Sequence, residues 1–145
     1  MDVNRPASTA SSRRAIGKLG RPRLLIVGCG DIGLRIVARL HRRFRVVALT
    51  SSPQRVPRLR AAGALPLVGN LDDRATLGRL RGFGARVIHL APPPETGDGD
   101  RRTAHLVNAL RRRDGDRAVY ISTTGVYGDR RGAWIDETAR LATTE

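Results

Sequence analysis

The sequence predicts an α/β fold with a doubly wound parallel sheet of about five strands. Strand-like apolar runs alternate with helical patterns along the chain, the first run is apolar at every position, and a glycine-rich turn follows that run. A strand that is apolar throughout is typical of a parallel sheet covered on both faces. Alternating strands and helices require crossover connections, which again indicate a mostly parallel sheet.

The predicted elements follow one another from residue 24 to residue 122. Strands are expected at 24–27, 45–49, 65–68, 87–90 and 118–122, and helices at 32–41, 53–62, 73–80 and 101–113. Pro53 falls in the first turn of the second helix, where proline is tolerated, and Gly63 follows its end. Asp72 or Asp73 is expected to cap the third helix.

Length and composition fit one globular domain. A chain of 145 residues can bury a core, and 40% hydrophobic residues disfavour wholesale disorder. Residues 1–21 are rich in Ser, Ala and Arg and are predicted to form a disordered basic tail ahead of a domain at 22–145. No apolar run approaches the roughly 20 residues of a membrane helix. We therefore expect a soluble, cytoplasmic protein without a membrane partner.

The net charge of +14 raises the possibility of a polyanionic partner. The arginines are spread along the chain, however, and no basic stretch carries interleaved aromatic residues that could stack on bases. A solvated, arginine-rich surface is the favoured interpretation, and nucleic-acid binding is the less favoured one. Cys29 is the single cysteine, so no internal disulfide can form, and no metal site is predicted.

The turn after the first strand carries the main functional signal. Residues 28–33 read Gly-Cys-Gly-Asp-Ile-Gly, which is the pattern G-x-G-x-x-G between a strand and a helix. Gly28 permits the tight turn, Gly30 lets the backbone approach a pyrophosphate, and Gly33 lets the helix pack closely on the strand. This position predicts a Rossmann-type dinucleotide-binding domain. A tight turn without a ligand is the alternative.

The other residues of this turn have two interpretations each. Asp31 directly precedes the predicted helix and Ile32 begins it, and both are assigned to the cofactor site, where the helix N-terminus would face the phosphates. A carboxylate is unfavourable beside phosphates, so Asp31 could instead cap the helix. Cys29 could carry a reactive thiol, but a small residue that fills the turn is the favoured interpretation.

The end of the second strand favours NADP(H) over NAD(H). An acidic residue about 20 positions after the turn would bind the ribose hydroxyls of NAD, and none occurs between Val46 and Arg60. Ser51, Ser52 and Arg55 can instead donate hydrogen bonds to a 2′-phosphate. The alternative for Arg55 is a solvent-facing helix residue.

Two further segments resemble a known family. Residues 120–128 read Tyr-Ile-Ser-Thr-Thr-Gly-Val-Tyr-Gly, and residues 132–137 read Gly-Ala-Trp-Ile-Asp-Glu. The first is similar to the strand-five motif of extended short-chain dehydrogenases/reductases, the NAD-dependent epimerase/dehydratase group, and the second resembles an atypical subgroup of it. The likeness covers about residues 22–138, which correspond to the N-terminal portion of the family.

The resemblance assigns more cofactor-site residues. Residues 69–72 resemble the family's Gly-Asp-Leu-x segment, which places Asn70 and Leu71 beside the adenine. Residues 89–91 resemble its His-Leu-Ala segment, which places the backbone of Leu90 and Ala91 along the cofactor. His89 is expected to be a packed core histidine, and the two remaining histidines, His41 and His105, are expected on the surface.

The resemblance also assigns residues around a substrate. Thr123 matches the family's catalytic Ser/Thr, which hydrogen-bonds the substrate oxygen, and Thr124 and Tyr127 would lie near the substrate. The family's Tyr-x-x-x-Lys pair would fall beyond Glu145, and no lysine follows Lys18. We therefore expect little turnover from this chain, whose sheet is incomplete relative to the family and which lacks the family's C-terminal substrate-binding region.

The leading function is an NAD(P)-binding domain of an oxidoreductase or an epimerase/dehydratase-like enzyme. The first alternative is a non-catalytic NADP(H)-binding sensor or scaffold, and the second is a basic nucleic-acid-binding protein. The substrate would be a small molecule whose identity is open, and a homo-oligomer is compatible with the sequence.

Overall fold

A computed structural model of the chain describes residues 20–81, 83, 86–94, 99–110 and 117–142. The predicted basic tail lies outside the described residues up to residue 19. Five parallel strands form one sheet: β1 (Arg23–Val27), β2 (Arg45–Thr50), β3 (Leu65–Val68), β4 (Arg86–His89) and β5 (Arg117–Tyr120). No helix among the described residues is long and apolar enough to cross a membrane.

The strand order is β3-β2-β1-β4-β5, so the doubly wound sheet predicted from the sequence is confirmed. β1 lies in the centre and pairs in parallel with β2 on one side and β4 on the other. After β3 the chain crosses back over β1 and continues in the opposite direction along the sheet. In such sheets the crevice above the two strands where the order reverses is the usual ligand site.

Helical segments cover both faces of the sheet. The α-helices are α1 (Asp31–Leu40), α2 (Val56–Ala61) and α3 (Arg101–Leu110), and the 3₁₀ helices are Pro53–Arg55, Arg74–Leu80 and Thr124–Tyr127. Since successive strand residues point to opposite faces, Leu24 and Ile26 pack with α1 and α2, whereas Leu25 and Val27 pack with α3 and the 3₁₀ helix Arg74–Leu80. β1 is buried on both sides, as its continuous apolar run predicts.

The predicted second helix is interrupted. A continuous α-helix over residues 53–62 would need the backbone N–H of residue 57 to donate to the carbonyl of Pro53, and Pro57 has no N–H. Val56 N donates to Pro53 O instead, which is the tighter 3₁₀ bond, and the α-helix starts only at Val56. The expectation of one helix from Pro53 was wrong, because the missing N–H of Pro57 prevents the first α-helical hydrogen bond.

The third and fourth helical segments also differ in detail from the expectation. Residues Arg74–Leu80 form a 3₁₀ helix, and Asp73 caps it by accepting a hydrogen bond from Ala75 N, so of the two predicted caps Asp73 is the one found. α3 begins at Arg101 as predicted and is described to Leu110; the rest of its predicted span, 111–113, lies outside the described residues.

The edge strand β5 is less covered than the rest of the sheet. All of its residues are exposed, and the two apolar side chains Val119 and Tyr120 are 56% and 45% exposed. β5 pairs only with β4 among the described residues. The predicted continuation of this strand to residue 122 does not form, although Ile121 N still donates to His89 O.

Candidate functional site

A cleft of about 380 Å³ opens at the carboxyl ends of the central strands. It lies where the strand order reverses, between β1 and β4, and its walls come from the loops after β1, β2, β3 and β4. The predicted cofactor residues that line it are Gly28, Gly30, Ser51, Arg55, Asn70, Leu71, Leu90 and Ala91. The predicted residues Asp31, Ile32, Gly33 and Ser52 do not line it.

The first glycine of the turn is required by both its conformation and its surroundings. Gly28 has φ +77°, which side-chain-bearing residues rarely adopt. A Cβ on Gly28 would lie 2.5 Å from the amide nitrogen of Ala91, in the loop after β4. The two backbone segments therefore touch, and their contact forms the floor of the cleft.

The second glycine leaves space where a phosphate group would fit. A Cβ on Gly30 would meet no atom within 4 Å, and Gly30 lines the cleft. The open volume is therefore above the turn itself, at the N-terminus of α1. This arrangement fits a pyrophosphate, because the first N–H groups of an α-helix have no acceptor within the helix and carry a partial positive charge.

The third glycine allows α1 to approach the sheet. A Cβ on Gly33 would lie 2.8 Å from Cys29 Sγ and 3.4 Å from Leu90 Cδ1. Gly33 thus has the packing role that the motif predicts rather than a place on the cleft wall. Cys29 is 2% exposed, and burial raises the pKa of its thiol, while the charge of Arg55 acts in the opposite direction. These features fit a thiol that fills the turn.

The acidic residue of the turn does not cap the helix, so that alternative was wrong. Gly30 is the N-cap of α1, and no side chain accepts a hydrogen bond there. The Asp31 carboxylate accepts from Arg35 Nε at 2.8 Å, one helical turn further on, where both side chains are largely exposed. Ile32 is 58% exposed and also lies outside the cleft wall.

The three polar residues predicted to bind the cofactor after β2 do not all line the cleft. Ser51 and Arg55 are exposed and line the cleft. Ser52 Oγ instead donates to Gln54 Oε1 at 2.8 Å, and Ser52 N donates to Thr50 Oγ1. Two of the three predicted donors, Ser51 and Arg55, therefore line the cleft, and Ser52 does not.

The loop after β3 is held by its own hydrogen bonds. Asn70 Oδ1 accepts from Asp72 N at 3.0 Å, and Asn70 N donates to Thr76 Oγ1 at 2.8 Å. The side-chain amide of Asn70 thus shapes the loop through its oxygen. Leu71 is buried and forms an apolar part of the wall.

An ion pair on the cleft wall was not predicted from the sequence. Arg102 Nε and Nη2 donate to the two carboxylate oxygens of Asp72 at 2.9 and 2.8 Å, and Arg102 Nη1 lies 3.2 Å from Pro92 O. The side-chain hydrogen bond from Arg102 is the main cause that lowers the pKa of Asp72. Asp72, Pro92 and Arg102 all line the cleft, so this guanidinium joins the loops after β3 and β4.

The three histidines have more partners than expected. His89 is 4% exposed, as predicted for a core histidine. His105 Nδ1 donates to Leu71 O at 2.7 Å, and His41 Nδ1 lies 3.1 Å from the carbonyl oxygens of Val37 and Ala38. Both residues are partly exposed, so a surface position is not contradicted, but each has backbone partners that the sequence did not predict. Each imidazole satisfies backbone carbonyls at a helix or loop end, which polarity alone does not reveal.

The predicted substrate residues lie beyond β5. Thr123 is an exposed, extended residue that precedes the 3₁₀ helix Thr124–Tyr127, and its side chain makes no cap hydrogen bond. Thr124 is exposed and Tyr127 is half-buried. None of these three residues lines the cleft, so their roles stay predictions. The described residues contain no group of three or more potential metal ligands.

The fold and the glycine-lined cleft define a dinucleotide-binding domain of the Rossmann class. The chain belongs to the NAD(P)H-binding family, whose model matches residues 28–144. No functionally curated protein matches the sequence.

Solved structures share this fold. A functionally unknown conserved protein from Silicibacter pomeroyi DSS has 27% identity and a TM-score of 0.63, over 86% of this chain and 43% of that one. The NADPH-dependent quinone oxidoreductase QOR2 from Escherichia coli, solved with NADPH, has 21% identity and a TM-score of 0.54, over 67% of this chain and 35% of that one. A protein from Bacillus halodurans described as an NAD-dependent epimerase/dehydratase has 20% identity and a TM-score of 0.56, over 77% of this chain and 56% of that one.

The chain spans less than two thirds of the length of each of these proteins. The predicted NAD(P)-binding function is confirmed by the family model, and the predicted Rossmann-type fold is confirmed by the solved structures. The two alternatives, a sensor or scaffold and a nucleic-acid-binding protein, receive no support from these comparisons.

Proposed function

We propose that this domain binds NADP(H) in preference to NAD(H) and presents it to a substrate in an oxidoreductase or epimerase/dehydratase-like reaction. The observation that carries the proposal is the cleft above Gly28 and Gly30, which leaves room for a pyrophosphate at the N-terminus of α1. When bound, the nicotinamide would supply hydride transfer. The domain's own contribution is to bind and orient the dinucleotide.

The residues along the cleft have separable tasks in this proposal. The N–H groups of Gly28 and Gly30 already donate to Leu49 O and Gly28 O, so the first turn of α1, next to the open space at Gly30, holds the pyrophosphate through N–H groups that have no acceptor within the helix. Ser51 and Arg55 meet the adenosine ribose, where the positive charge of Arg55 favours a 2′-phosphate. Asn70 and Leu71 form the adenine side, and the Leu90–Ala91 backbone runs beside the remainder of the cofactor.

Thr123 would hydrogen-bond the substrate oxygen, with Thr124 and Tyr127 nearby. This part rests on the family resemblance and on the place of these residues after β5. Thr123→Ala is expected to lower hydride transfer to carbonyl substrates while the dissociation constant for NADPH stays unchanged, because Thr123 lies outside the cleft. Cytoplasmic location, the substrate and any homo-oligomer stay predictions.

The test is a calorimetric titration of the purified chain with NADPH, which should show saturable binding. Gly30→Val should abolish it, because the branched side chain would fill the pyrophosphate space, while its Cβ would meet no protein atom within 4 Å. Gly78→Val is the matched control, since a Cβ on Gly78 also meets nothing within 4 Å and Gly78 lies away from the cleft. Equal affinity in the parent and Gly30→Val would refute the assignment of the cleft.

A further inference from the structure

A chain of hydrogen bonds runs from the floor of the cleft to the start of α3. Ala91 N donates to His89 Nδ1 at 3.3 Å, and His89 Nε2 lies 3.0 Å from Thr103 Oγ1. Thr103 Oγ1 in turn donates to Asp100 Oδ2 at 2.5 Å, and Tyr120 Oη donates to the same oxygen at 3.2 Å. These hydrogen bonds therefore join the loop after β4 to α3 and to β5.

These contacts determine which nitrogen of His89 carries the proton. Thr103 has one hydroxyl proton, and it is donated to Asp100, so Thr103 Oγ1 must accept from His89 Nε2–H. The Ala91 N–H approaches the other nitrogen, which must then be an unprotonated acceptor. Both ends of the ring require the same neutral form, with hydrogen on Nε2. A protonated imidazole has no acceptor for the Ala91 N–H.

The peptide that His89 holds is the one that meets the glycine-rich turn. Ala91 lines the cleft, and its amide nitrogen is the atom that a Cβ on Gly28 would strike. A small movement of Ala91 would therefore change the floor on which a pyrophosphate rests. We propose that His89 is a positioning residue for the dinucleotide: its neutral ring holds the Ala91 peptide against Gly28, and dinucleotide affinity falls when the ring is protonated. The inference rests on the proposed function.

The surroundings of His89 keep the ring neutral near neutral pH. Burial lowers the pKa of His89, and the negative charge of Asp100 opposes this effect. The groups facing the ring are Asp100, which directly precedes α3, Thr103 in the first turn of α3, and Tyr120 from β5. The Tyr120 ring meets the His89 ring edge-on, with 5.1 Å between the ring centroids. On the other side β1 places the uncharged Val27 opposite His89.

The two titratable neighbours of His89, Asp100 and Tyr120, each keep one charge state near neutral pH. Burial raises the pKa of Asp100, but hydrogen bonds from the Thr103 hydroxyl and amide and from Tyr120 lower it by more, so the carboxylate stays ionised. Burial and the charge of Asp100 both raise the pKa of Tyr120, so its hydroxyl stays protonated. His89 is therefore the member of this hydrogen-bond network that gains a charge on acidification, at a pH below the ordinary histidine pKa of 6.5.

The experiment measures the dissociation constant of NAD⁺ by calorimetry between pH 5 and pH 8 at constant ionic strength. NAD⁺ is chosen because it lacks the 2′-phosphate, whose own ionisation near pH 6 would confuse the profile. In the parent the dissociation constant should be flat at high pH and rise as His89 protonates, approaching about tenfold per pH unit if only the neutral form binds.

Two substitutions of His89 separate positioning from packing. His89→Leu removes the acceptor and should weaken binding by about tenfold at pH 8, the loss expected for one hydrogen bond. His89→Asn can offer its Oδ1 near the place of Nδ1 and does not titrate, so it should recover most of that affinity and show no pH dependence over this range. A residue that only fills space would not produce this difference in pH profile.

Nitrogen NMR of the parent provides an outcome that does not depend on any variant folding. The His89 signals, assigned by their loss in His89→Asn, should show hydrogen on Nε2. A ring with hydrogen on Nδ1, or a parent that binds NAD⁺ equally from pH 8 to pH 5, would overturn the inference. A parent that binds no dinucleotide at pH 8 would instead refute the proposed function, so the two failures are distinguishable.

Discussion

The backbones of Gly28 and Ala91 are in direct contact, so closely that a Cβ on Gly28 would come within 2.5 Å of the Ala91 amide nitrogen. Gly28 directly follows the central strand β1, and Ala91 follows the neighbouring strand β4. The two parallel strands are linked above their ends as well, because Leu90 N donates to Val27 O at 2.8 Å. This contact closes the bottom of the cleft and makes Gly28 a structural residue, whereas Gly30 faces open space.

This difference predicts unequal effects on stability for substitutions at these two glycines. Gly28→Ala should lower the free energy of unfolding by at least about 2 kcal/mol, because the left-handed backbone and the contact with Ala91 both oppose a side chain. Gly30→Ala should change it by less than about 1 kcal/mol, since φ at Gly30 is −80° and no atom is near. Urea unfolding followed by circular dichroism measures both. Equal losses in the two variants would contradict the geometry of the turn.

The choice between the two dinucleotides should depend on Arg55. NADPH should bind more tightly than NADH. Arg55→Ala should reduce the difference in binding free energy between the two nucleotides by about 1–3 kcal/mol, because a charge-assisted hydrogen bond to the 2′-phosphate is lost. Arg58→Ala is the control, because Arg58 is an exposed arginine of α2 outside the cleft. Calorimetric titration of each variant with both nucleotides gives the result. A parent chain that prefers NADH would reject the specificity.

The ion pair between Asp72 and Arg102 should appear in the titration of the carboxylate. The folded-state pKa of Asp72 lies below its ordinary value of 3.8 because Arg102 donates to it. Its contribution to stability is therefore present above the unfolded-state pKa and is lost as the pH falls through the folded-state pKa. Carboxyl NMR should show this pKa rising in Arg102→Gln and unchanged in Arg35→Gln, which breaks only the pair with Asp31. An unchanged Asp72 in Arg102→Gln would show that the pair does not form in solution.

The single cysteine should react slowly in the folded protein. Cys29 is buried, so a reagent has little access to its sulfur, and burial raises the pKa of the thiol, so little thiolate is present. Alkylation by iodoacetamide at pH 8 should be slower than in urea-unfolded protein by on the order of 100-fold or more. Mass spectrometry follows the reaction, and one cysteine makes the readout unambiguous. Similar rates in the two states would favour the reactive-thiol interpretation of the turn.

Short-range patterns determined the sheet and the glycine-rich turn from the sequence alone. The apolar run at 24–27 predicts a strand buried on both faces because no polar side chain interrupts it, and the spacing of the three glycines directly after that strand predicts the turn into a helix. The second predicted helix is shorter than expected for an equally local reason, since Pro57 lacks the N–H that a continuous α-helix from Pro53 would need.

The tertiary structure alone decided which side chains meet across the cleft. Arg102 reaches Asp72 over 30 residues, and His89 meets Thr103 over 14 residues, on elements that are brought together only when α3 packs on the sheet. Polar contacts of this kind leave no periodic pattern, because any exposed arginine or threonine looks the same along the chain. Ser52 likewise turns towards Gln54 instead of the cleft for reasons of local hydrogen bonding that become visible only in the folded loop.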